Sequence, residues 1–230
     1  RFEVVYDDEQ VIVVNKPAGL LTVPTPKREP NTLQSQIRKW LERNQPGAKA
    51  TCVHRLDRGV SGLLVFAKSY AVADKLREQF AARKPERKYA AIVRGEVSND
   101  RGTFQSYLAT DESLNRYSVT DPAAGELAIT HYRVKERWHD ASLLQMQLET
   151  GRRNQIRVHL AEAGHPIIGD PRYRAELAEH PHWPLKRLAL HAETLGFGLS
   201  FRLYAAPRNG FRRPVYAGAR RGRRRPGGER

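Results

Sequence analysis

The chain has 230 residues, of which 40% are hydrophobic and 28% are charged, and its formal net charge is +15. This length allows one well-buried core or two modest ones, and the sequence holds no apolar run long enough to cross a membrane. The excess of positive charge favours a polyanionic partner, because such binding releases counterions and is steered over long distances. These features predict a globular protein that acts on a polyanion and exclude a helical membrane protein.

The positive charge is unevenly distributed along the chain. Residues 208–230 contain nine arginines, no lysine and a single acid, Glu229, so this stretch holds +8 of the total. From residue 217 onward the Arg-Gly-Pro composition cannot bury enough apolar surface to order itself. We therefore predict one folded domain over residues 1–207 and a basic tail over residues 208–230.

Cysteine usage and the first residues bear on the compartment. Cys52 is the one cysteine, so neither an internal disulfide nor a cysteine-based zinc cluster can form within the chain. Residues 1–8 have neither the apolar core of a secretory signal nor an amphipathic basic transit pattern. The sequence therefore predicts a cytoplasmic protein.

The first half of the chain shows two strand–helix pairs. A β-branched run over residues 11–14 predicts a strand that is broken by the segment 15–19. Asn31 or Thr32 can cap a helix whose apolar residues recur with helical spacing through residue 41. Residues 62–67 predict a buried strand, and Ser69 can cap a second helix through residue 80.

The second half is richer in strands. Residues 142–149 alternate apolar and polar side chains, as a half-buried antiparallel strand does, and the pattern over residues 129–138 is weaker. A helix is predicted over residues 154–163, ended by Gly164 and Pro166. Further strands are predicted over residues 89–93, 188–197 and 199–204. Together the elements predict an α+β domain.

The segment His54-Arg55-Leu56-Asp57-Arg58-Gly59-Val60-Ser61-Gly62-Leu63 carries the clearest chemical signal. It places the carboxylate of Asp57 between the guanidinium groups of Arg55 and Arg58. Neighbouring positive charge favours the ionised carboxylate, which suits a nucleophile better than a proton donor. Arginine also grips phosphate and stacks on bases. Taken alone, such a cluster is more often a structural ion pair than a catalytic site.

A second cluster makes the catalytic interpretation stronger. Residues 150–160 read Thr-Gly-Arg-Arg-Asn-Gln-Ile-Arg-Val-His-Leu, and residues 164–170 read Gly-His-Pro-Ile-Ile-Gly-Asp. A glycine turn that opens a helix among basic and amide groups is a natural anion cradle. On this helix Ile156 and Leu160 are predicted to pack inward, which lets Arg157 point across a cleft.

These segments resemble the motifs of the RluA family of RNA pseudouridine synthases. The similarity also covers Asn15–Leu21, Lys88–Gly95 and Arg187–Ala192, in the same order over roughly residues 3–206. The resemblance implies an α+β pseudouridine synthase fold, in which a long mixed, mainly antiparallel sheet with flanking helices bends around a central RNA-binding cleft. It also implies an isomerase that needs neither metal nor organic cofactor and acts on RNA, ribosomal RNA before transfer RNA, as a monomer.

The resemblance assigns roles to individual residues. Asp57 would attack the target nucleotide, Arg157 would pair with it, and Tyr89 would stack on the uracil and assist late proton removal. Arg55 would fill the gap left by the flipped uridine, and Leu190 would form part of the apolar pocket wall. Arg58, Arg152 and Gln155 complete the predicted substrate-binding residues. Flipping a base costs a few kcal/mol, which an inserted arginine and aromatic stacking can offset.

Two residues depart from the family motifs, and two other function classes remain open. Val60 stands where the family usually has threonine, and Asn154 where it often has histidine, which predicts altered substrate fit rather than lost activity. A noncatalytic RNA-binding or ribosome-associated protein of the same fold would bind RNA without modifying it. A metal-dependent nuclease would need compact ligand spacing, and the histidines and Asp170 do not show one.

Overall fold

A computed structural model describes residues 2–181, 183, 185, 187–198 and 201–204, the last four by their backbone. The elements in chain order are β1 (Glu3–Asp7), β2 (Val11–Lys16), α1 (Leu33–Asn44), β3 (Thr51–Cys52), β4 (Ser61–Ala67), α2 (Tyr70–Ala81), β5 (Glu86–Arg94), β6 (Arg101–Thr110), β7 (Arg116–Val119), β8 (Glu126–Trp138), β9 (Ala141–Leu148), α3 (Gln155–Glu162), α4 (Ala175–Ala178), β10 (Leu190–Phe197) and β11 (Phe201–Tyr204).

The strands form one mixed, mainly antiparallel sheet. Its main path runs β1-β2-β4-β10-β5-β9-β8-β6-β7, with β3 beside β4 and β11 beside β10. Among the described strands, β4 and β10 pair in parallel and the other neighbours pair antiparallel. The predicted α+β class with a mainly antiparallel sheet is confirmed. This order brings β4, β10 and β5 together, although they are far apart in sequence.

The central strands are buried on both faces because helices cover the sheet from opposite sides. All seven residues of β4 are buried. Even-numbered side chains of β2 and β4 pack with Leu33, Ile37 and Leu41 of α1. The odd-numbered side chains pack with Ala73 and Leu76 of α2. Alternation of side chains along a strand therefore feeds two apolar clusters, and the continuous apolar run predicted this double burial.

The helix ends follow the predicted capping residues. Thr32 begins α1 with a capping box, in which Thr32 and Ser35 each accept a hydrogen bond from the other's backbone amide. The Ser69 hydroxyl caps α2 by accepting from the amide of Val72. Helix α3 ends before Gly164, whose φ of 81° is the left-handed conformation that glycine adopts readily.

Sequence patterns missed several strands. β6 shows alternating exposed and half-buried residues, and much of β7 is likewise accessible, so their low apolar content gave little strand signal. β6 pairs with β8 over eight residue positions, from Arg101 opposite Arg133 to Leu108 opposite Glu126. The predicted tail over residues 208–230 lies outside the described residues. Within the described part of the chain, no helix has the length and apolar character needed to cross a membrane.

Candidate active site

Asp57 lies in a tight turn directly before β4. The amide of Val60 donates to the Asp57 carbonyl oxygen at 3.1 Å, which closes the turn. Thr22 anchors the preceding residue, because its hydroxyl donates to the Leu56 carbonyl at 2.7 Å and accepts from the Leu56 amide at 3.2 Å. The turn is therefore fixed at both ends against the interior, which sets the direction of the Asp57 carboxylate.

The side chain of Lys16 also anchors the Asp57 turn, through the backbone of Arg58. The sequence motifs did not predict this role. Its buried ammonium nitrogen donates to the carbonyl oxygens of Pro17 at 3.0 Å, Leu20 at 2.7 Å and Arg58 at 3.2 Å. Burial lowers the pKa of Lys16 to about 7, although the nearby charge of Asp57 raises it. The loop after β2 and the Asp57 turn are thereby joined into one rigid unit.

Arg157 faces Asp57 from helix α3. One guanidinium nitrogen lies 3.6 Å from the Asp57 carboxylate. The same guanidinium makes a bidentate pair with Asp170, through Nε at 2.8 Å and a terminal nitrogen at 2.7 Å. Burial lowers the pKa of Arg157, but the hydrogen bond to Asp170 and the charges of Asp170 and Asp57 outweigh this effect and raise it. Arg157 therefore stays cationic beside Asp57.

Two further side chains orient this guanidinium. The Asn154 side-chain oxygen accepts from Arg157 at 3.1 Å, and its amide donates to the Tyr173 hydroxyl at 2.9 Å. The guanidinium carbon of Arg157 lies 5.0 Å from the centre of the Tyr173 ring. Asn154 also has a φ of 57°, a left-handed conformation that asparagine tolerates better than most residues. The departure from the family motif at residue 154 thus lies in direct contact with Arg157.

A cavity of about 170 Å³ opens in front of the Asp57 carboxylate. Its apolar walls come from Leu56 and Val60 of the turn, Leu148 of β9, and Tyr89 and Leu190 of the adjacent strands β5 and β10. The polar wall comes from residues 151–157. Every predicted site residue except Arg58 lines this cavity: Arg55, Asp57, Tyr89, Arg152, Gln155, Arg157 and Leu190. Sheet pairing and the α3 helix bring these residues together from four parts of the sequence.

Tyr89 is buried at the cavity wall. Burial raises the pKa of its phenol, the charge of Asp57 raises it further, and Arg87 opposes both effects. The phenol is therefore protonated near neutral pH. In this state the ring supplies a flat apolar surface, and proton uptake by its oxygen requires that the phenol first lose its own proton.

The remaining predicted binding residues differ in how strongly they are held. Arg55 and Arg58 are exposed, and neither forms an ion pair with a carboxylate among the described residues. Arg152 pairs with Glu126 at 2.8 Å. The Gln155 amide donates to Ile129 and Thr130, and its oxygen accepts from Thr150 and Arg152. Both ends of the Gln155 side chain are thus engaged by the protein, and its contact with substrate stays a prediction.

The histidines near these motifs have structural contacts. His54 stacks on Phe80 with ring centres 4.6 Å apart, and burial lowers its pKa to about 3. His159 lies between the hydroxyls of Thr130 and Ser106, at 2.9 and 3.0 Å. Across the described ranges, no group of three or more histidine, cysteine, aspartate or glutamate side chains is placed to hold a metal ion.

Comparison with known proteins identifies the family. The model of the RNA pseudouridylate synthase family matches residues 10–162. The chain belongs to this family. It is 37% identical over 203 residues to an uncharacterized RNA pseudouridine synthase, YlyB, of Bacillus subtilis, covering 85% of this chain and 64% of that protein. It is 39% identical over 205 residues to the ribosomal large subunit pseudouridine synthase D of Zymomonas mobilis, which covers 85% of this chain and 64% of that protein.

Solved structures agree with the fold of this RNA pseudouridylate synthase family member. Human RNA pseudouridylate synthase domain containing 4 superposes with a TM-score of 0.70 at 22% identity, over 84% of this chain and 83% of that one. Human RNA pseudouridylate synthase domain containing 1 superposes with a TM-score of 0.65 at 25% identity, over 85% of this chain and 78% of that one. The predicted fold and family are confirmed. The chain spans 64% of the length of the two bacterial relatives named above.

Proposed function

We propose that this protein converts uridine to pseudouridine in structured RNA, with Asp57 as the nucleophile. One observation supports this most directly: the Asp57 carboxylate, 3.6 Å from Arg157, lines a cavity of about 170 Å³ in a chain of this family. Ribosomal RNA is the first candidate substrate because relatives are named for the large ribosomal subunit. Transfer RNA is the second.

The proposed reaction breaks one bond to the ribose and forms another. The Asp57 carboxylate attacks C1′ of the everted uridine, and the uracil leaves through N1 as an anion. The uracil then turns within the cavity, C5 attacks C1′, and Asp57 is released as a carboxylate. Finally the proton on C5 is lost and N1 gains a proton, so the product is an isomer of the substrate. Because no net oxidation or reduction occurs, we propose that no cofactor takes part.

The cavity residues support each step. The apolar walls hold the detached base and exclude water, which would otherwise capture the reactive C1′. The guanidinium of Arg157, 3.6 Å from the Asp57 carboxylate, supplies a counter-charge beside the nucleophile. The ring of Tyr89 offers a stacking surface for the turning uracil. Tyr89 is also the proposed aid to the last proton transfer, for which its phenol, whose pKa burial raises, first has to lose its own proton.

Further proposals concern the whole protein. Arg55 lies exposed at the mouth of the cavity and is proposed to fill the gap that the everted uridine leaves in the RNA. Arg58, Arg152 and Leu190 are proposed to contact the substrate. We also propose a cytoplasmic monomer in which residues 1–207 form the catalytic domain and the basic residues 208–230 add nonspecific RNA affinity.

The test compares wild type with Asp57→Asn and with the matched variant Asp74→Asn, which alters an exposed carboxylate on α2. Each protein is incubated with total cellular RNA, and pseudouridine is measured by mass spectrometry of nucleosides. We expect product from wild type and Asp74→Asn and none above background from Asp57→Asn. Full activity of Asp57→Asn would overturn the assignment. RNA binding by wild type without product would indicate a noncatalytic binding protein, and chelator-sensitive RNA cleavage would indicate a nuclease.

A further inference from the structure

A second and larger space adjoins the proposed uridine cavity. This groove has a volume of about 1130 Å³, and its walls come from the Asp57 turn and from the segment between Gly169 and Leu188. Asp57 and Arg157 line both the groove and the 170 Å³ cavity. The two spaces therefore adjoin at the Asp57–Arg157 pair.

The wall of the groove is held in place from two sides. The amide of Gly169 donates to the Ala178 carbonyl oxygen at 2.7 Å. Nε2 of His180 lies 3.0 Å from the carboxylate of Asp140, in the turn between β8 and β9. These contacts hold Ala178 of α4 beside Gly169 and His180 beside the turn between β8 and β9.

Trp183 gives the groove an aromatic surface of the kind that binds nucleobases. Its indole nitrogen donates to the Arg187 carbonyl oxygen at 2.9 Å, which fixes the ring. The guanidinium carbon of Arg187 lies 5.4 Å from the indole centre. Single-stranded nucleic acids bind by stacking bases on aromatic side chains beside arginines that meet the phosphates.

Arg58 lies on the groove side of the Asp57–Arg157 pair, next to Asp57 in the turn. It lines the groove next to Asp57, is exposed, and forms no ion pair with a carboxylate among the described residues. Its Nε donates to the Gly19 carbonyl oxygen at 3.0 Å, which orients the guanidinium. An exposed guanidinium is therefore present in the groove beside the Asp57–Arg157 pair, where the groove and the cavity share their lining.

We propose that the groove binds the nucleotide adjacent to the target uridine, in a single-stranded segment of the RNA. Its base stacks on Trp183, and the phosphate between the two nucleotides contacts Arg58. This inference rests on the proposed function, because it takes the 170 Å³ cavity as the uridine site. It makes Trp183 and Arg58 determinants of which sequence around the uridine the protein accepts.

The experiment is a cycle of protein and RNA changes. The probes are a fluorescein-labelled pentanucleotide, AAUAA, and two forms in which the residue 5′ or 3′ of the uridine is abasic. Binding to wild type, Trp183→Ala, Trp183→Phe and the control Tyr70→Ala is measured by fluorescence anisotropy. Tyr70 is an exposed aromatic residue on α2 that does not line the groove.

We expect Trp183→Ala to bind AAUAA about 5- to 150-fold more weakly, from the usual strength of base stacking. Trp183→Phe keeps most of the affinity, and Tyr70→Ala keeps all of it. One of the two abasic probes should bind wild type more weakly than AAUAA by a similar factor. The same probe and AAUAA should bind Trp183→Ala equally well. Equal affinity of wild type and Trp183→Ala, or additive losses with both abasic probes, would overturn the inference.

A variant that binds RNA more tightly than wild type separates the proposal from the trivial case in which a substitution only impairs folding. Glu179 is an exposed acid in the groove lining, so Glu179→Gln is expected to tighten AAUAA binding about two- to fivefold at low salt. Unchanged or weaker binding would contradict an RNA strand in this groove. If wild type forms no pseudouridine above background on total cellular RNA, the proposed function is refuted instead. The binding measurements do not depend on that result.

Discussion

The pair between Arg157 and Asp170 offers the sharpest test of how the site is built. Asp170 is 1% exposed in its side chain and Arg157 is 11% exposed, and two hydrogen bonds of 2.7 and 2.8 Å join them. The Asp170 carboxylate also accepts from the backbone amides of Arg172 and Tyr173. In Asp170→Asn the neutral amide places N–H donors toward the Arg157 guanidinium, and a buried cation loses its principal partner.

Breaking a buried ion pair by neutralising one partner costs about 3–5 kcal/mol. For a protein of this size each kcal/mol lowers the melting temperature by roughly 2–4 °C, so Asp170→Asn should melt about 6–20 °C below wild type. Urea unfolding followed by circular dichroism gives the change in the free energy of unfolding. We also expect slower isomerisation at unchanged RNA affinity, since Arg157 no longer has a fixed orientation beside Asp57.

The matched control is Asp74→Asn, the same chemical change in an exposed pair. Asp74 lies 2.9 Å from Arg77, and the two side chains are 67% and 48% exposed. Exposed pairs contribute about 0–1 kcal/mol, so this variant should unfold almost as wild type does. A loss of less than about 1 kcal/mol in Asp170→Asn would show that Asp170 does not anchor Arg157.

Three other outcomes follow from the structure and the sequence. Burial lowers the pKa of His159 to about 4. Between about pH 6.5 and 4 this histidine is therefore protonated in the unfolded chain but neutral in the folded protein. Stability consequently falls as the pH falls through this window. His159→Gln should flatten this part of the stability profile, and a slope identical to that of wild type would contradict the assignment. Tyr89→Phe should keep RNA affinity but lower turnover about 100-fold, whereas full turnover in single-turnover assays would confine Tyr89 to stacking. Deletion of residues 217–230 should weaken RNA binding and lower the slope of its salt dependence by about 0.7–0.9 for each phosphate that these residues neutralise. The chemical step on a short substrate should be unchanged. Failure of that step would contradict a purely electrostatic role for these residues.

The local patterns of this chain were sufficient to predict many of its elements. The buried strand before α2, the cap Ser69 and the end of α3 at Gly164 match the structure, and Thr32 is the one of the two candidate caps, Asn31 and Thr32, that begins α1. Each depends on neighbours within a few residues, which sequence periodicity and capping chemistry report directly. β6 and β7 escaped prediction because few of their side chains are buried, so they show little of the apolar alternation by which a strand is recognised.

The motifs also pointed to Asp57 and Arg157 as partners, but not to what holds them. The residues beside Lys16 in the sequence do not show that its ammonium group contacts the Asp57 turn. Likewise, the residues beside Asp170 do not show that its carboxylate accepts from the Arg157 guanidinium. The sheet order, which places β4 and β5 on either side of β10, determines that Asp57, Tyr89 and Leu190 share one cavity. The same holds for the groove, where Trp183 and Arg58 lie far apart in sequence.

The amino-acid sequence by itself determined the family, the chemical character of the proposed nucleophile and its guanidinium partner, and the basic charge that favours RNA. These properties are carried by residue types at fixed spacing within short segments, which do not need the fold to be recognised. Only the tertiary structure decided the 3.6 Å approach of Arg157 to Asp57, the anchoring of both, and the joining of the cavity to the groove. Those features arise from contacts between distant segments, such as Lys16 with the Asp57 turn and β10 with β4, where Ser61 and His191 are 130 positions apart. Long-range packing of this kind has no signature in a local pattern.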